Sequence, residues 1–154
     1  MSDNPVLVEV LRGLAVESRH RGSFAVVDAD GKVMLSAGDI EQPVFPRSAV
    51  KAFQALPLLE TGAADRFGLT DKELALTISS HSGEPDHVET ARGILAKTGR
   101  DETCLECGAH WPMSREAERA LAASGKKPST LHNNCSGKHS GFICLACGMD
   151  EDPT

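Results

Sequence analysis

PVFPRSAVKAF, residues 43–53, sets Ser48 and Lys51 three positions apart just after Pro46. Residues i and i+3 of a helix share a face, so the pair reads as a hydroxyl and an amine pointing the same way. Placed in a first helical turn, Ser48 would meet unpaired N–H groups and the positive end of the helix dipole, which favour a developing negative charge. A serine hydroxyl is a weak nucleophile at neutral pH and needs a base. A lysine amine serves as that base only when burial or nearby cations depress its pKa. Val50, Phe53 and Ala55 offer such burial. An S-x-x-K spacing also arises by chance on a surface helix, so the pair alone leaves both readings open.

The same stretch divides the chain. Before it, VLVEVLRG alternates apolar and polar residues as a strand does. SFAVVDADGKVMLSAGD places apolar runs on either side of Asp-Ala-Asp-Gly, a hairpin signal. The first forty residues therefore predict a small antiparallel sheet, ended by Pro43 and Pro46. After it the pattern turns helical. SAVKAFQALPLLETGAA has helical spacing, with Pro57 a kink or break. Thr70 or Asp71 caps a short helix running into ELALTISS. The apolar run LALTIS then delivers Ser79, Ser80 and His81 to its end. HVETARGILAKTG is closed by Gly99, SREAERALAASG begins at Ser114 and ends at Gly125, and SGKHSGFICLACGM is small and apolar enough for a buried helix. Strands first and helices after favour an α/β (α+β) sandwich over a regular βαβ repeat.

Bulk composition narrows the function classes. The chain has 154 residues, 40% hydrophobic and 25% charged, with a formal net charge of −6. That length supports one domain with a real core, and the sign of the charge disfavours nonspecific binding to nucleic acid or an anionic membrane. No apolar run approaches the roughly 20 residues of a membrane span. MSDNPVLVEVL lacks the basic and apolar regions of a signal peptide, which favours the cytoplasm and reduced thiols. The five cysteines are an odd number, so metal binding or buried thiols explain them better than a disulfide framework.

Three clusters compete for chemistry. Lys97-Thr98-Gly99 matches the K-T-G that accompanies S-x-x-K in penicillin-binding proteins, but it ends an evident helix and reads as a C-cap. Ser80 is the better second hydroxyl. Cys104-x-x-Cys107 and Cys144-x-x-Cys147 suggest a zinc-ribbon binding module, although 36 residues and a whole helix separate the pairs. HNNCSGKH, residues 132–139, packs two His, two Asn, a Cys and a Lys into eight positions. Cys135 and Lys138 stand three apart at a helix start, where thiolate is a good zinc ligand and a nearby metal would drive lysine to lose its proton. A capped helix start with satisfied Asn and His is the plainer alternative.

Taken jointly, PRSAVK, TISSHSGE, CGAHWP and HNNCSGKHSGF, in this order over most of the chain, resemble the rhizobial-type L-asparaginases. The resemblance implies a fold like that of the serine β-lactamases, penicillin-binding proteins and serine-dependent glutaminases, and hydrolysis of L-asparagine to L-aspartate and ammonia. It implies Ser48 as nucleophile, Lys51 as its base and Ser80 as the serine of a second Ser-Lys pair. It implies Cys135 and Lys138 as two ligands of a zinc ion beside the site. Arg47, His81, Asn134 and His139 fall within the matching motifs and take substrate-binding or supporting roles. Members of that family are longer, so residues 1–154 are expected to be the N-terminal portion of one catalytic domain. A C-terminal segment of the same enzyme would supply the second lysine and a further cysteine, and a homodimer is implied. A glutaminase or other amidase of the same fold is the alternative activity.

Overall fold

The computed structural model describes residues 4–153. They form two compact units, one ending at Phe45 and the other beginning at Pro46. The composition is mixed helix and small sheet, as the order of patterns predicts.

The first unit is two antiparallel hairpins rather than one sheet: β1 (Val6–Arg12) pairs β2 (Ala15–Arg21), and β3 (Phe24–Val27) pairs β4 (Val33–Ala37). In the second hairpin, Asp28 makes the turn. Its backbone N–H donates to Lys32 O, and its carboxylate accepts from the N–H groups of Asp30 and Lys32, as Asx turns do. The strand β2 is absent from the sequence reading. Its run AVESRHR is mostly polar and carries no alternation of its own.

The second unit is helical. A 3-10 turn over Arg47–Val50 leads into α1 (Lys51–Glu60), followed by α2 (Ala63–Arg66), α3 (Asp71–Thr77), α4 (Pro85–Lys97), α5 (Arg115–Ala123) and α6 (Ser136–Gly148). Helix α1 runs through Pro57 instead of breaking there. Thr70 caps α3 in a reciprocal box with Glu73. Ser114 caps α5 by accepting from Ala117 N–H.

Helix α6 is the hub, packed against α1, α2, α3 and α4. Its close approach is set by glycine. A Cβ on Gly137 would lie 2.6 Å from Leu76 O, and one on Gly141 would lie 2.9 Å from Thr77 Cγ2. Ser136, Ser140 and Cys144 are buried on the same helix, and Leu58, Leu76, Ile94, Leu95 and Leu131 complete the core around it. The hub therefore fixes the start of α6, where HNNCSGKH lies, against the end of α3, where Ser79 and Ser80 emerge.

Candidate active site

Lys51 is the centre of the site. It is 3% exposed, and its Nζ lies 2.7 Å from Ser79 O, 2.7 Å from Ser80 Oγ and 3.9 Å from Cys135 Sγ. Burial lowers its pKa below the usual lysine range. The Cys135 sulfur opposes that shift and the charge of Lys138 adds to it. Ser48 Oγ is 3.1 Å from Ser80 Oγ. The contacts thus form a chain, Lys51 to Ser80 to Ser48. Among the described side-chain hydrogen bonds, none joins Ser48 Oγ directly to Lys51 Nζ; the two residues are linked only through the main chain, where Lys51 N–H donates to Ser48 O.

This differs in one respect from the helical-face expectation. Ser48 lies in the 3-10 turn, and α1 begins only at Lys51. The tighter winding follows Arg47, whose φ of +53° is in the left-handed region that a non-glycine residue rarely adopts. Ser48 consequently stands beside Ser80 on the exposed side of the site while Lys51 is buried beneath. A cleft of about 230 Å³ opens here, lined by Arg47, Ser48, Lys51, Gln54, Cys135 and Lys138. Gln54 is new to this set. It follows Lys51 by the same three-residue step that separates Lys51 from Ser48, so the spacing carried the signal.

His81 and Asn134 serve differently. His81 is 4% exposed. It accepts from Gly83 N–H at Nδ1 (3.1 Å), which leaves the proton on Nε2 to donate to Ser136 Oγ (2.8 Å). Ser136 Oγ–H in turn donates to Leu131 O at 2.9 Å. Both ring nitrogens are therefore engaged inside the chain. Burial, then the neighbouring charges of His87 and Lys51, lower the His81 pKa to about 4. The Asn134 backbone ties two motifs together: its carbonyl accepts from His81 N–H (3.1 Å), and its N–H donates to His110 Nε2 (3.0 Å). His139 stacks on Phe142, and its pKa is lowered by burial and by Lys138 and Lys51.

The metal candidates stand as follows. Lys138 Nζ lies 5.5 Å from the centre of the Phe142 ring. Among the described residues, no group of three or more His, Cys, Asp or Glu side chains could hold a metal ion. Cys135 and Lys138 are two donors where a zinc ion takes four ligands, so these residues alone do not make a closed zinc site. Among the described residues, the two C-x-x-C pairs do not form a metal-holding group either. Cys104 donates to Asp101 O, Cys107 to Thr130 O, and Cys144 is buried, its thiol pKa pushed up to about 11. Lys97 of K-T-G is occupied by Glu73 Oε2 at 2.6 Å and Gly68 O at 2.7 Å, away from the cleft.

The profile of the L-asparaginase II family matches residues 8–154, nearly the whole chain. The chain belongs to the L-asparaginase II family. No curated protein gives a match. Membership makes this an amidohydrolase-family chain, and three of the four motifs that carried the resemblance, PRSAVK, TISSHSGE and HNNCSGKHSGF, meet at Lys51. No helix among the described residues is long and apolar enough to cross a membrane.

Proposed function

We propose that the protein hydrolyses L-asparagine to L-aspartate and ammonia through a seryl ester, with Ser48 as nucleophile and Lys51 as base. The observation that carries this reading is the buried Lys51 amine in contact with Ser80, itself in contact with Ser48. An amine in its neutral form has two N–H bonds and one lone pair. The carbonyl of Ser79 and the sulfur of Cys135 take the two N–H bonds, and the lone pair accepts the Ser80 hydroxyl proton. Ser80 Oγ is then free to accept the Ser48 proton. As Ser48 Oγ attacks the side-chain amide carbon, its proton passes to Ser80 and the Ser80 proton passes to Lys51. The Lys51 ammonium then returns a proton through Ser80, whose hydroxyl proton passes to the leaving nitrogen, which departs as ammonia. Water hydrolyses the β-aspartyl ester and releases aspartate. Arg47, which lines the cleft, would pair with the substrate's α-carboxylate.

Under this reading the fold is that of the serine β-lactamases and glutaminases. Cys135 and Lys138 would supply two of the donors to a zinc ion that would hold the site's shape, and the remaining donors would come from outside the described residues. A C-terminal segment of the enzyme and a second subunit complete the assembly, in the cytoplasm.

A second reading exchanges the serines. The direct 2.7 Å contact of Lys51 with Ser80 favours Ser80 as the attacking group, with Ser48 orienting it. Ammonia release by the intact protein, measured with asparagine and glutamine in parallel, tests the activity. Turnover of asparagine in preference to glutamine supports the proposal, and turnover of neither removes it.

A further inference from the structure

We propose that His110 is a positioning residue for the Lys51–Ser80–Cys135 cluster, acting by accepting the Asn134 backbone N–H; the proposal rests on the amidohydrolase reading above. The CGAHWP motif that contains His110 has no part in the mechanism so far. Its geometry supplies one.

His110 Nδ1 lies 2.8 Å from Trp111 O. A carbonyl can only accept, so the proton sits on Nδ1 and the lone pair on Nε2. That lone pair faces the Asn134 N–H at 3.0 Å. On the other side of the same residue, Asn134 O accepts from His81 N–H. Asn134 is therefore held at both backbone polar groups, by side chain from one motif and by main chain from another. The residue before His81 is Ser80, and the residue after Asn134 is Cys135. Both touch Lys51 Nζ.

Further contacts lock the same turn. Asn133 Nδ2 donates to Gly108 O at 2.6 Å, and Asn133 Oδ1 accepts from Cys135 N–H at 2.9 Å. Ser114 N–H donates to Ser82 O at 3.1 Å. Gly83, at φ +76°, is pressed so closely that a Cβ there would lie 3.0 Å from the Pro112 Cα and 3.1 Å from His132 O. Three segments, residues 79–84, 108–114 and 132–136, interlock, and among the described residues His110 provides the one side-chain acceptor for the Asn134 amide. Removing that acceptor leaves a part-buried N–H unpaired and frees the peptide that spaces Cys135 and Ser80 about the lysine. Displacement of a catalytic group by about 1 Å costs about a hundredfold in rate.

The test compares His110→Gln and His110→Leu in the intact protein. Gln places its amide oxygen near the position of Nε2 and keeps the acceptor; Leu keeps bulk and loses it. We expect the Leu variant to lose about tenfold to a hundredfold in kcat for asparagine with little change in KM. Its Asn134 amide should exchange hydrogen faster, and its Cys135 should react at an altered rate with a thiol reagent. The Gln variant should recover all three. Wild-type behaviour in the Leu variant, or equal impairment of Leu and Gln, overturns the proposal. Should the wild type release no ammonia from asparagine, the activity reading fails by itself. Amide exchange and thiol reactivity then decide the role of His110: changed in Leu and restored in Gln supports it, unchanged in both overturns it. Should the Leu variant not fold, the Gln variant and the wild-type Asn134 amide decide. An Asn134 amide that exchanges like an exposed loop amide overturns the proposal.

Discussion

The Lys51 amine meets the Ser80 hydroxyl at 2.7 Å across 29 residues of sequence, while Ser48, three residues from Lys51, is reached through Ser80. In the proposed mechanism the base therefore serves two serines rather than one. Removal of either hydroxyl breaks the path from nucleophile to base. Ser48→Ala should lower kcat by about three powers of ten or more, with folding unchanged by circular dichroism. Ser80→Ala should also be severely impaired. Near-normal turnover in Ser48→Ala would move the nucleophile to Ser80.

Lys51 must be neutral to accept a proton. Burial lowers its pKa, so activity should rise with pH through a value below that of an ordinary lysine, because the amine gains its lone pair as the proton leaves. Lys51→Arg should be nearly inactive at every accessible pH, since a guanidinium stays charged. A flat pH–rate profile together with an active Arg variant would reduce Lys51 to an electrostatic partner.

His81 makes the fold acid-sensitive. Its folded pKa, about 4, lies below its unfolded value near 6.5. Between these values the unfolded chain binds the proton and the folded chain does not, so stability is full above about pH 6.5 and falls as pH drops toward 4. The loss is on the order of 3 kcal/mol. Urea unfolding from pH 7 to pH 4, repeated with His81→Gln, checks this; the variant should lose most of the slope over that window.

Lys97 is a structural cation. Glu73 is 7% exposed, and its carboxylate accepts from Lys97 Nζ, Thr70 N–H and Thr70 Oγ. Burial works to raise the Glu73 pKa, and these bonds outweigh it and hold the pKa low. Lys97→Ala should cost about 1–3 kcal/mol in thermal or urea unfolding by leaving that carboxylate short of a partner. It should leave KM and kcat near wild type. A large loss of kcat without loss of stability would return K-T-G to the active site.

Much of this was legible in the residues. Apolar spacing and caps located α3 through α6, because Thr70, Ser114, Gly99 and Gly125 punctuate them where short-range physics requires. The S-x-x-K spacing drew attention to Ser48 and Lys51. It could not show that Lys51 turns to Ser80, because that contact depends on where α6 places α3, and α6 is placed by glycines at 137 and 141 that admit Leu76 and Thr77. His81 reads as a substrate-binding or supporting residue because it falls within a motif of the family resemblance. Its bond from Gly83 is local, but its bond to Ser136 reaches across 55 residues and is a product of the same packing. His110 was invisible for a like reason: its partner, Asn134, lies 24 residues away.

The zinc proposal separates cleanly by site. Zinc content measured in the intact protein should fall in Cys135→Ser and stay unchanged in Cys104→Ser, whose thiol is engaged with Asp101 O. Loss with Cys104 alone would favour a zinc ribbon.

The most direct test of the account is capture of the covalent intermediate. Rapid acid quench of the intact protein during asparagine turnover, followed by peptide mapping with mass spectrometry, should find a β-aspartyl ester on the peptide carrying Ser48, and none in Lys51→Arg. Steady turnover with no ester on any serine would contradict the mechanism, and an ester confined to Ser80 would contradict the assignment of the nucleophile.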